Sequence, residues 1–221
     1  MTQWGDATEE KPLPDGLNDT DDLRFMTNRA GLDFTLRDDS NTKTWDNYAN
    51  LTGFQKGWPL GASIGTMLFT GPAENAPNPL LTWPIHCYGY VGVGRGYAPD
   101  TGSGAELYTI IGQPQRHMDR NLAVVGRIIE GMEHLSSLPR GHGELGFYTD
   151  EEAHLRTSIN SVRLGNEIAD LPRFEYLDTA SQSFARYVEV RANRNDAFYT
   201  VPAGGVDVCS VQVPIRRARG E

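Results

Sequence analysis

Cysteine is nearly absent from this chain: Cys87 and Cys209 are the only two among 221 residues. That excludes a disulfide framework and a cysteine-based zinc site, and leaves open whether the two pair. Cys87 follows His86 just before a strand-like run, where a small buried thiol is expected. A reactive thiol would need an electropositive, partly open setting that the sequence does not show. Long apolar runs are also missing: none approaches the roughly 20 residues of a membrane span, and no charged-then-apolar leader is seen. Positive charge is in deficit, 20 basic against 29 acidic residues for a net charge of −9, so nucleic acid and anionic lipid would not be attracted. His86, His117, His134, His142 and His154 show no H-E-x-x-H spacing or other tight pair, which predicts surface or turn histidines and no metal site. No repeat of about 20–50 residues is visible, which excludes solenoids and propellers.

What is present is an ordinary globular composition, 38% hydrophobic and 10% aromatic, enough for one domain with a real core plus extensions. The most informative stretch runs from Tyr88 to Gly141. Apolar residues from Val91 to Val93 alternate with Gly92, and a β-branched and aromatic run follows from Glu106 to Ile111, so both read as strands joined by a Gly-rich loop. A third strand is predicted over Leu122 to Ile129. Met132 and Leu135 then stand three apart, as the buried stripe of a short helix stopped by Pro139 and Gly141.

Three segments carry a family signature: Gly89-Tyr90-Val91-Gly92-Val93-Gly94-Arg95, Gly104-Ala105-Glu106-Leu107-Tyr108, and His117-Met118-Asp119-Arg120-Asn121-Leu122 continuing through Glu130-Gly131-Met132. A shorter echo opens the chain at Gln3-Trp4-Gly5-Asp6. In this order they resemble the cyclophilin peptidyl-prolyl cis-trans isomerases, whose patterns are Q-G-G-D, G-x-L-S-M-A-N, G-S-Q-F-F and W-L-D-G-K-H-V-V-F-G-x-V-x-E-G-M; the motifs have a bacterial look. The resemblance implies a mainly β fold, a cyclophilin-like antiparallel barrel with one or two short helices, long inserted loops and a C-terminal helical extension. Residues 1–84 would hold the start of the barrel and a loop-rich insertion from residue 7, with loop signals at Lys11–Gly16 and Pro77–Pro79; 85–165 the barrel core, closed by a strand over Ile159–Leu164; 166–221 the extension. In the extension Thr179 and Gln182 suggest a capping box, with Leu177, Ala180, Phe184, Tyr187 and Val188 on helical spacing, and Val206–Val213 alternates as a late strand.

The implied function is isomerisation of Xaa-Pro bonds during protein folding, acting on proline-containing polypeptides with no nucleophile, metal or cofactor. Its substrate-binding residues would be Gln3, Val93, Gly94, Arg95, Glu106, Tyr108, His117, Met118 and Leu122, with Met1 beside them. Several depart from the pattern. Tyr108 replaces a phenylalanine and adds a hydroxyl that needs a partner. Leu122 replaces a histidine, Met118 a leucine, and Glu106 a glutamine, the last becoming acceptor-only. His117 stands where many members carry the tryptophan that contacts cyclosporin, which implies weak binding of that drug. The family's central arginine precedes the Q-G-G-D segment and has no counterpart after Met1, so the catalytic residue is unassigned, an incomplete start is expected, and a catalytically inactive peptide-binding module is the alternative. Arg95 is either a solvated loop residue or a substitute donor; Asp100 and Asp119 are expected to fix turns. The compartment, periplasm or cytoplasm, stays open.

Two rival motifs fail on context. Gly61-Ala62-Ser63-Ile64-Gly65 matches the nucleophile elbow G-x-S-x-G, yet Pro59 precedes it and Gly71-Pro72 leaves no room for the helix an elbow must open. Gly92-Val93-Gly94-Arg95-Gly96 is similar to a dinucleotide loop, but Tyr97 occupies the third glycine's place and no helix pattern follows. A barrel without its first strands would expose unpaired edges, so the purified chain is expected to self-associate or be poorly soluble. Light scattering after size exclusion tests this: a monodisperse monomer with one cooperative melt would refute it.

Overall fold

Alternating apolar and β-branched runs give a chain whose regular structure is mostly short antiparallel strands. The computed structural model describes residues 1–5, 25–28, 34–36, 46–64 and 80–218. Asp6, Lys11–Gly16, Gly65, Gly71-Pro72 and Pro77–Pro79 lie outside the described residues. The strands are β1 (Thr2–Gly5), β2 (Thr27–Asn28), β3 (Phe34–Leu36), β4 (Leu51–Gln55), β5 (Trp58–Ile64), β6 (Leu80–Pro84), β7 (Tyr90–Val93), β8 (Glu106–Thr109), β9 (Val124–Arg127), β10 (Phe174–Tyr176) and β11 (Ile215–Arg217). The described residues also hold two α-helices, α1 (Met132–Ser136) and α2 (Gln182–Ala192), and several single 3-10 turns. The strands form three antiparallel sheets, ordered β1-β8-β7-β9, β2-β6-β5-β4-β3 and β10-β11. No helix of the described residues is long and apolar enough to cross a membrane.

The three strands expected between Val91 and Ile129 form, with β9 confined to Val124–Arg127 within the expected Leu122 to Ile129 and a bulge opposite Val91 and Gly92. The stretch before residue 84 holds more strand than its Gly and Pro content suggests. Gln55 pairs with Trp58 across a two-residue turn, and Lys56 and Gly57 both take positive φ, 47° and 82°, the conformation that matches strand twist in a tight hairpin. Gly61 lies inside β5 because the Trp83 indole crosses it: a Cβ there would fall 2.5 Å from Nε1. Ser63 is buried mid-strand and donates to Asn50 Oδ1 at 2.7 Å, which removes the elbow geometry.

The main core joins Phe54, Ile85, Cys87, Tyr90, Phe184, Val188, Val208, Val211 and Val213, so the C-terminal segment packs directly on the sheets. Phe54 meets Phe184 edge-on at 5.0 Å. The helix α2 forms where expected, but its cap is Ser181, whose Oγ accepts from the Phe184 N–H at 3.1 Å. Thr179 does not cap: it is fully buried and its hydroxyl oxygen accepts from the Gly57 N–H at 3.2 Å across the fold, while Ala180 points to solvent.

Three further expectations are corrected. Residues 156–164 form no strand: Ile159, Val162 and Leu164 stand 55%, 87% and 67% exposed, and apolar residues without a hydrogen-bonding neighbour among the described residues do not make a strand. The segment Val206–Val213 is a single 3-10 turn, Val208–Ser210, started by Asp207, whose carboxylate accepts from the Cys209 N–H at 2.8 Å; the late strand is β11. In α1, Met132 and Leu135 are half-buried instead of core.

Cys87 is not a free thiol. It is bonded to Cys209, with Cα atoms 5.2 Å apart across 122 residues of sequence. Closing so long a loop restricts the unfolded chain, and substituting both cysteines by serine is expected to lower unfolding free energy by about 3–5 kcal/mol. Urea unfolding measures it; an unchanged midpoint would refute the claim.

Candidate functional site

Strand pairing sets the first layer of the site. In β1, β8 and β7 the register places Gln3 opposite Tyr108 and Tyr108 opposite Gly92, so the three share one face of the sheet. Gly92 is required by its neighbour: a Cβ there would lie 2.3 Å from both Cζ and the hydroxyl oxygen of Tyr108. Gly94 donates its N–H to the Glu106 carbonyl at 2.9 Å, and the Glu106 side chain lies over it. Val93 ends the strand that carries them, and Met1 is exposed at the start of β1.

The second layer is the turn from Arg116 to Leu122. It begins as a single 3-10 turn, Arg116–Met118, and closes when the Asn121 and Leu122 N–H groups donate to the Met118 carbonyl at 3.0 and 3.2 Å. Met118 packs with Tyr108 and Ile110, and Leu122 leans on the cluster. Arg95 latches this turn to the end of β7. Its Nε and Nη2 donate to the Asn121 carbonyl at 3.1 and 3.0 Å, and its Nη1 to the Gly96 carbonyl at 2.8 Å. Three of the five guanidinium donors are thereby engaged among the described residues. Arg95 is therefore neither a free solvated side chain nor fully committed.

An open cleft of about 410 Å³ lies over this latch, lined by Arg95, Gly96, Tyr97, His117, Met118, Asn121 and Leu122. Of the residues singled out from sequence, Arg95, His117, Met118 and Leu122 meet at the cleft, and Tyr108 backs it through Met118 and Leu122. Gln3, Val93 and Glu106 on the adjoining strands, and Gly94 just past the end of β7, lie outside its lining. Asp100 fixes a turn as expected, accepting from the Gly96 and Gly102 N–H groups at 2.6 and 2.8 Å, which holds its carboxyl below the usual range. Among the described residues no three His, Cys, Asp or Glu side chains converge to hold a metal ion.

Beneath the site runs a buried polar chain that the motifs do not announce. The Tyr108 hydroxyl meets His86 Nε2 at 2.9 Å, His86 Nδ1 meets Asp119 Oδ1 at 3.0 Å, and Arg116 Nε donates to Asp119 Oδ2 at 2.6 Å. Arg116 then forms a two-pronged pair with Asp46 and lies over the Tyr48 ring. His86 is 1% exposed, which corrects its reading as a surface or turn histidine, and Asp119 is a buried hub instead of a simple turn residue. Burial pushes the Tyr108 hydroxyl well above the ordinary tyrosine range, with the Asp119 charge adding to it. Burial alone would lower Arg116, but its bonds to Asp46 and Asp119 outweigh that and hold it above the ordinary value. The sequence signal for the chain was faint: one polar residue between Ile85 and Cys87, and a tyrosine where the pattern has phenylalanine.

No protein-family model matches the sequence, and no curated protein matches it. A solved structure does: the cyclophilin AquaCyp293 from Hirschia baltica aligns with a TM-score of 0.57 at 19% identity, over 89% of this chain and 65% of that one. The fold is cyclophilin-like. The chain spans 65% of the length of that cyclophilin. With the cyclophilin-like fold, the mainly β architecture expected from the motifs stands, with two α-helices among the described residues where one or two were expected.

Within that fold Gly92 is the tightest point of the site. Substituting Gly92→Ala drives a methyl into the Tyr108 ring and is expected to cost about 1–3 kcal/mol of stability through overpacking. Denaturant melts compared with the parent test this, and a neutral result would show that the ring does not lie across Gly92.

Proposed function

We propose that the chain is a peptidyl-prolyl cis-trans isomerase that takes an Xaa-Pro segment of a polypeptide at the cleft between the end of β7 and the Arg116–Leu122 turn. The carrying observation is the apolar cluster of Tyr108, Met118 and Leu122 beside that cleft in a cyclophilin-like fold. Rotation about an Xaa-Pro bond is opposed by a barrier of about 18–20 kcal/mol, because the amide loses its partial double bond. The reaction needs no bond to break, so the site has only to bind the twisted amide better than the planar one. An apolar surface of aromatic and aliphatic side chains holds the pyrrolidine ring and lowers the polarity around the amide. Donors fixed in place before the amide twists complete the task, and the two remaining N–H groups of Arg95 supply them at the rim. Gln3 and Glu106 on the neighbouring strands would contact the peptide backbone beyond the proline.

Exchange NMR on a short Xaa-Pro peptide tests the reading. The parent chain is expected to accelerate cis-trans exchange, and Tyr108→Ala to lose tenfold or more of that acceleration, about 1.4 kcal/mol of transition-state binding. Peptide shift changes without faster exchange would mean a binding module, and neither effect would remove the reading.

A further inference from the structure

We infer that His86 is a positioning residue of the cleft, one that turns the Tyr108 hydroxyl away so that tyrosine can stand where the cyclophilin pattern has phenylalanine; this rests on the proposed isomerase reading. His86 Nδ1 faces a carboxylate oxygen that also accepts from the His86 backbone N–H at 3.0 Å, and the other oxygen of Asp119 accepts from Arg116. A carboxylate in such a pair only accepts, so the imidazole proton sits on Nδ1. Nε2 is left as the acceptor, and the single proton of the Tyr108 hydroxyl points to it at 2.9 Å. The ring planes lie 11° apart, and Tyr108 is 3% exposed. What Tyr108 then adds to Met118 and Leu122 is ring carbon, as a phenylalanine would.

Two further contacts make the arrangement specific to this chain. The hydroxyl fills the volume over Gly92, where the family pattern has a serine and any Cβ would lie 2.3 Å from it. The backbone of His86 also staples the cleft's turn, its carbonyl accepting from the Gln115 N–H at 3.0 Å while its N–H reaches Asp119. One residue therefore fixes both the ring under the cleft and the turn that walls it.

A double-mutant cycle of H86L, Y108F and the pair, read as kcat/KM for peptide isomerisation, tests this beside urea unfolding of each variant. H86L is expected to lose at least tenfold, and at least fivefold less in the Y108F background, because the orphaned hydroxyl is then gone. H86Q, which can still donate to Asp119 and accept from the hydroxyl, is expected to recover part of the loss and stands in if H86L does not fold. Equal losses from H86L in both backgrounds would overturn the inference while leaving the isomerase reading intact. An inactive parent would overturn both. In the free protein, nitrogen-15 spectra are expected to show His86 as the Nδ1–H form; an Nε2–H form would send the hydroxyl proton elsewhere and also overturn it.

Discussion

The carboxylate of Asp119 is the point on which the site depends. It is buried and accepts three hydrogen bonds, from the backbone N–H of His86, from His86 Nδ1 and from Arg116 Nε. An ion removed from water survives only when its lone pairs are met by donors and its charge by an opposite one, and Arg116 supplies both while anchoring itself on Asp46. Removing one member of such a pair characteristically costs about 3–5 kcal/mol, because the other is left buried and alone. The geometry gives this bond unusual reach: it fixes where the chain turns after β6, how the Arg116–Leu122 turn lies against β7 and β8, and where the Asp46 segment docks.

The same corner is held from the opposite side. Cys87, next to His86, is bonded to Cys209, and the Val208–Val213 segment fills the core beside Phe54, Tyr90 and Phe184. Two further contacts add to the docking: an exposed one, in which Arg217 meets Glu130 with two nitrogens at 2.7 Å, and a half-buried one, in which Arg127 donates to the Val213 carbonyl at 3.0 Å while lying over the Tyr90 ring. Pairs that open to solvent contribute little each. The disulfide and the buried aromatic packing do most of the holding, with the buried ion pair on one flank of residues 86 and 87 and the disulfide on the other.

What was legible in the sequence follows from how local each signal is. The strands β7, β8 and β9 declare themselves by alternation and by motif, and with them came Tyr108, Met118 and Leu122 as a group. The β4–β5 hairpin was obscured because the whole stretch before residue 84 read as a loop-rich insertion and Gly61 as part of an elbow-like motif; the Trp83 ring across Gly61 explains why glycine belongs inside that strand. Thr179 looked like a cap because Gln182 follows at the right spacing, and nothing local tells that its hydroxyl is claimed by Gly57. Ile159, Val162 and Leu164 supply apolar residues and still form no strand, since pairing is a property of two segments. His86, Asp119, Arg116 and Asp46 are spread over 74 residues of sequence, from 46 to 119, so no spacing rule could join them.

The order Asp119, His86, Tyr108 has the hydrogen-bond sequence of an acyl-transfer triad with a phenol in the nucleophile's place, and that invites a hydrolytic reading. Accessibility and acidity decide against it. A nucleophile must reach substrate and be easier to ionise than usual, whereas Tyr108 is 3% exposed and is pushed up by burial and by the charge of Asp119. Ser63, the one serine in an elbow-like motif, lies inside β5 and donates its hydroxyl to Asn50. A relay whose last hydroxyl is hidden and held protonated cannot attack; it can hold a ring and a turn still. On the proposed isomerase reading that is what is required, because the whole effect of a non-covalent catalyst of bond rotation lies in groups already placed where the twisted amide will be.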